Sequence, residues 1–183
     1  MTEPFLERSR YYLTNEYPAK LKLALEHLPP EAVWSRQHES SNSIGNLLVH
    51  LAGNVGEWII GGLGGLPVKR HRASEFDRRA GPSGDELLVE LNAVVRDADA
   101  VLAQITESDL RRAFTIQGRE TTGLAAVYHV VEHFSMHTGQ VILLAKMHAP
   151  GRIQFYDDAA GRAIPRWGGT EGLSKGADDQ RIR

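Results

Sequence analysis

Two breaks that a helix cannot run through divide this chain: Pro29-Pro30, and the run "GGLGGLP" from Gly61 to Pro67. Between them, and up to a third break at "HAPG" (His148 to Gly151), apolar residues recur at helical spacing. The first such stretch runs from Pro4 to Leu28, with Phe5, Leu6, Leu13, Leu21, Leu25 and Leu28 on its periodic positions. The second starts at "SSNSIGNLL", where Ser41, Asn42 or Ser43 can cap it, and continues to about residue 60. The third follows Ser83, a good N-cap with Asp85 and Glu86 in its first turn, and reaches about residue 105. The fourth starts near Thr121 or Thr122 and ends near Met147. Before it, "LRRAFTIQGRETTG" carries β-branched residues around a "QGRE" turn signal, which predicts a short hairpin.

Four long amphipathic helices predict an all-α fold, a four-helix bundle with long inter-helix loops. The bundle is expected to occupy residues 1–150. Residues 151–183 form a C-terminal extension, expected to be mostly irregular, with "IQFYDD" and "IPRW" able to dock on the bundle and the last dozen residues disordered. The links on either side of the third helix are long for a simple up-down bundle, and loops of that length in a compact domain are often functional.

Composition narrows the function. A net charge of −2 with dispersed charges argues against nucleic acid or an anionic membrane as the main partner. The basic cluster "VKRHR" (Val68 to Arg72) reads as solvated loop charge. There is no cysteine, so thiolate ligands, disulfides and a cysteine nucleophile are all excluded. The N-terminus lacks a signal-peptide core, and no run of about 18 apolar residues exists to span a membrane. The expectation is a cytoplasmic protein.

The chemistry concentrates on the fourth helix, in "HVVEHFSMHTGQ". With His133 at zero on a helical wheel, His137 falls at about +40° and His129 at about −40°. These rings lie within or beside the apolar face, with Glu132, Ser135 and Lys146 roughly opposite. A lone buried histidine is ordinarily a hydrogen-bonded core residue. A pair at i and i+4 on an inward face can also share one divalent cation. In the second helix, "LLVHLAGNVGEW" places His50 on a polar stripe with Asn46, Asn54 and Glu57, beside the core face. His50 thus offers a third imidazole. Three imidazoles leave a coordination position open, the arrangement of a catalytic rather than a structural metal. Ligands on three successive turns would span about 12 Å, too far for one ion, so His129 reads as a neighbour of the site or a core histidine. Gln140 and Asn54 are candidates to orient ligands. His27, His38, His71 and His148 receive no role. Tyr11, Tyr12, Trp34 and Trp58 read as core or interface.

"LLVHLAGN" and "VYHVVEHFSMHTGQVILL", in this order, resemble the DinB/YfiT-like superfamily over roughly residues 5 to 148. The resemblance implies a four-helix bundle, often a homodimer, with a divalent metal held by His50, His133 and His137. Characterised relatives include bacillithiol S-transferases, mycothiol-dependent maleylpyruvate isomerase and glutathione-type transferases. It therefore implies a metal-dependent thiol S-transferase acting on a low-molecular-weight thiol and an electrophilic small molecule. Zinc or nickel leads as the metal, followed by iron, cobalt and manganese. No side chain is assigned as catalytic. The alternatives are a metal-dependent hydrolase with Glu57 or another pocket carboxylate as a general base, or a non-catalytic stress-related metal-binding bundle. Exposed apolar surface on the first and third helices is a candidate dimer interface.

Overall fold

A computed structural model describes residues 2–159 and 161–168. The expected disorder of the last dozen residues falls outside this range. In chain order come α1 (Thr2–Tyr11), a π-helical segment (Tyr12–Glu16) and α2 (Tyr17–Leu25), which together make the first long helix. The second long helix is α3 (Ile44–Val55) continued by a π-helical segment (Gly56–Leu63). A short helix α4 (Arg72–Asp77) precedes the third long helix, α5 (Gly84–Leu102). Then follow α6 (Glu107–Arg111), a hairpin of β1 (Ala113–Ile116) and β2 (Arg119–Thr122), and the fourth long helix α7 (Gly123–His148). A second hairpin, β3 (Tyr156–Ala159) and β4 (Arg162–Pro165), lies in the extension.

The helix starts follow local chemistry. Ser43, Ser83 and Thr122 each cap the next helix by accepting a backbone N–H three residues on. The second helix does not stop at Gly61 as the glycine run predicts. Its π-helical segment passes through Gly61 and Gly62 and ends at Leu63. A Cβ on Gly62 would lie 2.5 Å from the Ile116 side chain, so glycine there admits the β1–β2 hairpin against the helix.

Residue pairs between helices give their directions. Arg10 pairs with Asp99 and Leu25 lies on Gly84, so the first helix runs against α5. Val94 lies beside Gly56 and Val101 beside Gly64, so the second helix and α5 run parallel. His50 faces His133 and Asn54 faces His129, so the second helix runs against α7. The order is up, down, down, up. Two consecutive parallel helices need a crossover as long as the bundle. That is the physical reason for the long link of residues 64–83, which carries α4.

The core is continuous between the four helices. Phe134, Leu21, Leu51, Val55, Ile59 and Leu91 are all essentially inaccessible to solvent. Tyr17 stacks on Phe134 at 5.4 Å between centroids. At the far end, Ile153 and Phe155 of the extension are also buried, and Lys20 sits 4.4 Å over the Trp167 ring. No helix among the described residues is long and apolar enough to cross a membrane.

Asn46 pins the crossover to the second helix. Its Oδ1 accepts from the Ser43 backbone N–H (3.0 Å), the Ser43 hydroxyl (2.6 Å) and Arg36 (2.7 Å). Its Nδ2 donates to the carbonyls of Glu75 (2.8 Å) and Arg78 (3.1 Å). Truncating it leaves several buried groups unpaired, at about 1–3 kcal/mol each. Asn46→Ala is therefore expected to destabilise the fold by about 3 kcal/mol in urea unfolding, against about 1 kcal/mol for the exposed cap variant Ser83→Ala. Equal losses in the two variants would refute the clamp.

Candidate metal centre

The up-down-down-up order lays α3 and α7 side by side and antiparallel, which brings His50 to His133 and His137. His50 is 4% exposed and His137 8%, while His133 is partly exposed. The His50 and His133 Nε2 atoms are 3.1 Å apart, and the His133 and His137 Nε2 atoms 3.2 Å. Ligand nitrogens of all three lie within 4.8 Å of one another, and these residues could hold a metal ion. Two nitrogens bound tetrahedrally to one zinc ion at its usual bond length are about 3.3 Å apart. The observed spacings match that value closely. A neutral imidazole has one N–H, so three mutually facing nitrogens cannot all be satisfied by one another. A cation satisfies all three lone pairs.

The opposite ring edges support this orientation. His50 Nδ1 is 2.7 Å from Glu75 Oε2, and His137 Nδ1 is 2.7 Å from Gln140 Oε1. Both partners can accept a proton from Nδ1, which would leave Nε2 bare, although an Arg70 donor also lies 3.2 Å from His50 Nδ1. His133 Nδ1 is buried without a hydrogen-bond partner. Burial pushes the His133 imidazole down to about 3, helped by His137, His50, His129 and Arg70. Burial also lowers His137, although its bond to Gln140 opposes the shift. The structure thus favours neutral rings at His133 and His137, the form that ligates a metal.

His129, one turn before His133, stays outside the group. Its Nε2 lies 3.4 Å from Asn54 Nδ2 and its ring 4.2 Å from that of Trp58. Trp58, expected to be core or interface, is buried against His129. Gln140 meets a candidate ligand, as its position on the wheel suggested, whereas Asn54 meets His129 instead. Glu132 is exposed.

The reading of residues 68–72 as solvated loop charge is corrected at Arg70, whose side chain is only 6% exposed. Its guanidinium grips Glu75 with two donors, at 2.6 Å to Oε1 and 2.9 Å to Oε2. A third donor reaches Glu57 Oε2 at 2.6 Å, and Gln117 from the β1–β2 turn donates to the same oxygen at 2.6 Å. Burial alone would raise the Glu75 carboxyl, but hydrogen bonds from His50 and Arg70 outweigh it and hold Glu75 below its ordinary value. Neither Arg70 nor Glu75 carries a sequence signature. The only signal was the length of the loop that bears them. At the turn, Gln117 has φ of 54°, a left-handed conformation uncommon for a non-glycine residue.

The lowered histidines make metal-free stability depend on pH. In the unfolded chain these rings take up protons near pH 6.5; in the folded chain both are held below that value, His133 down to about 3. The unfolded state then binds more protons, so stability is complete above about pH 6.5 and falls as pH drops toward about 3. Thermal unfolding in chelator is expected to show Tm falling between pH 7 and 5, with a shallower fall in His133→Gln. An unchanged slope in that variant would contradict the assignment.

A family model described as "Protein of unknown function (DUF1572)" matches residues 1–156. The crystal structure of a DinB-like protein (YjoA) from Bacillus subtilis is similar, with a TM-score of 0.55 and 20% identity. The match covers 82% of this chain and 98% of that one. At that identity the likeness is one of fold. No curated protein matches this chain. The chain belongs to the family of unknown function DUF1572, and its helical bundle has the fold of a DinB-like protein.

Proposed function

We propose that this protein is a divalent-metal-dependent S-transferase that joins a low-molecular-weight thiol to an electrophilic small molecule, with His50, His133 and His137 as the metal ligands. The convergence of three imidazole nitrogens in the α3–α7 seam carries this reading. Zinc or nickel is the leading metal, with iron, cobalt and manganese behind them, since imidazole suits most of these ions. When bound, such a cation lowers the pKa of a coordinated thiol and supplies a thiolate at neutral pH. His50 and His137 are oriented for ligation by Glu75 and Gln140. Among the described residues no fourth side chain joins the cluster, which leaves room for a cosubstrate. The chain has no cysteine, so the reacting sulfur comes from that cosubstrate.

Glu57 favours thiol transfer over hydrolysis. Hydrolysis would ask this carboxylate to act as a base, yet its Oε2 already accepts from both Arg70 and Gln117. A thiol held by a metal has no comparable need for a base. We also propose a cytoplasmic homodimer. The large exposed apolar side chains gather on α7, at Leu124, Tyr128, Met136, Leu143 and Met147, more than on the first and third helices, where the sequence placed the interface. Sedimentation is expected to give a dimer, and Leu143→Glu a monomer; an unchanged sedimentation of that variant would remove α7 as the interface.

Untagged protein purified without chelator is expected to hold about one divalent ion per chain, as one three-histidine site predicts. His50→Ala, His133→Ala and His137→Ala should each lose it. Metal-loaded protein should consume glutathione, bacillithiol or mycothiol in the presence of monochlorobimane, and chelation should abolish this. Absence of metal sinks the reading. Thiol-independent hydrolysis points to the hydrolase, and metal-dependent thermal stability without turnover points to the non-catalytic bundle.

A further inference from the structure

The Nδ1 atom of His50 faces two groups that make opposite demands. Glu75 Oε2 lies 2.7 Å away and Arg70 Nη2 3.2 Å away. A carboxylate only accepts and a guanidinium only donates. A proton on Nδ1 suits Glu75; a proton on Nε2, with Nδ1 bare, suits Arg70. A neutral ring has one proton, so the two neighbours compete for the tautomer. The Glu75 contact is the shorter and is charge-assisted. Arg70 has other acceptors, since both Glu75 oxygens and Glu57 Oε2 already lie within 2.9 Å of its nitrogens.

We propose that Glu75 is the positioning residue that keeps the His50 proton on Nδ1 against Arg70, so that Nε2 presents its lone pair to the other two histidines. This rests on the reading of the three imidazoles as a cation site, though the tautomer can be measured without any cation. His137 has no equally firm control, because its partner Gln140 is an amide whose oxygen and nitrogen can exchange places. Glu75 cannot exchange roles in this way. It is also aimed with little slack: a Cβ on Gly53, three residues after His50, would lie 2.3 Å from Glu75 Oε1 and 2.8 Å from Arg70 Nε. The absent side chain of Gly53 therefore makes space for the pair. If Glu75 were lost, Arg70 would donate to Nδ1, drive the proton to Nε2 and close the ring nitrogen that faces the site.

The unusual consequence is a sign. Removing Glu75 alone should be worse for cation binding than removing Glu75 and Arg70 together. The test uses the full chain labelled with 15N-histidine, metal-free and at mildly alkaline pH, read by long-range 1H–15N correlation. Wild type is expected to show His50 protonated on Nδ1. Glu75→Met should move the proton to Nε2 and weaken Co²⁺ binding roughly tenfold or more in chelator competition. The double variant Glu75→Met/Arg70→Met should lose the tautomer bias and recover part of the Co²⁺ affinity. Gly53→Ala keeps every charge while displacing the carboxylate, and should shift the tautomer even if Glu75→Met does not fold. A wild-type His50 protonated on Nε2, or a tautomer unmoved by Glu75→Met and Gly53→Ala, overturns the proposal. The expected tautomers without Co²⁺ uptake by wild type would overturn the metal reading instead and leave the role of Glu75 standing.

Discussion

The crowding of three imidazole nitrogens at one point of an otherwise apolar helix seam sets the terms for the rest of this structure. Burial lowers the basicity of His133 and His137, and an outer ring nitrogen buried here calls for a partner, which His133 Nδ1 lacks. His137 finds one on its own helix, in Gln140. His50 does not, because on α3 Asn46 is bonded to the crossover and Asn54 faces His129. Its partner must come from elsewhere in the chain, and it comes from α4.

The topology makes this delivery available. Because the second and third long helices run parallel, the chain has to travel back along the bundle before α5 can begin. The returning segment passes over the His50 side of α3 and brings Glu75 and Arg70 with it. Asn46, one turn before His50, holds that segment by the backbone carbonyls of Glu75 and Arg78. Cap, clamp and candidate ligand thus sit on successive turns of a single helix. The β1–β2 hairpin reaches the same network from the other side through Gln117 and Glu57.

Buried charges of this kind are poor evidence for stability. Desolvating Arg70 and Glu75 costs several kcal/mol per ion before their attraction offsets it, and apolar residues of similar volume are often as good. A fold that needed only a core would have little use for them. Their position against a candidate ligand is better explained by control of that ligand's proton. The exposure of Glu57, at 31% of its side chain, shows that the network grades from a dry end at His50 to a wetter end near the hairpin.

Much of this was written locally. Helical periodicity, the caps at Ser43, Ser83 and Thr122, the hairpin around Gln117, and the inward set of His133, His137 and His50 all follow from residues a few positions apart. The separation of His129 from the other two on α7 also follows, since helical rise alone carries it a turn away. What periodicity could not show were the π-helical segments, which insert a register shift without changing composition, and the continuation of the second helix through Gly61 and Gly62, where Ile116 packs from afar. Arg70 looked like any loop arginine, because a charge is buried or solvated according to what surrounds it. The sequence by itself determined which faces are apolar and which rings point inward, because those are properties of one helix. Only the tertiary structure decided that the three rings meet, that Glu75 and Arg70 stand behind them, and which His50 nitrogen faces inward, because each depends on the direction of one helix relative to another.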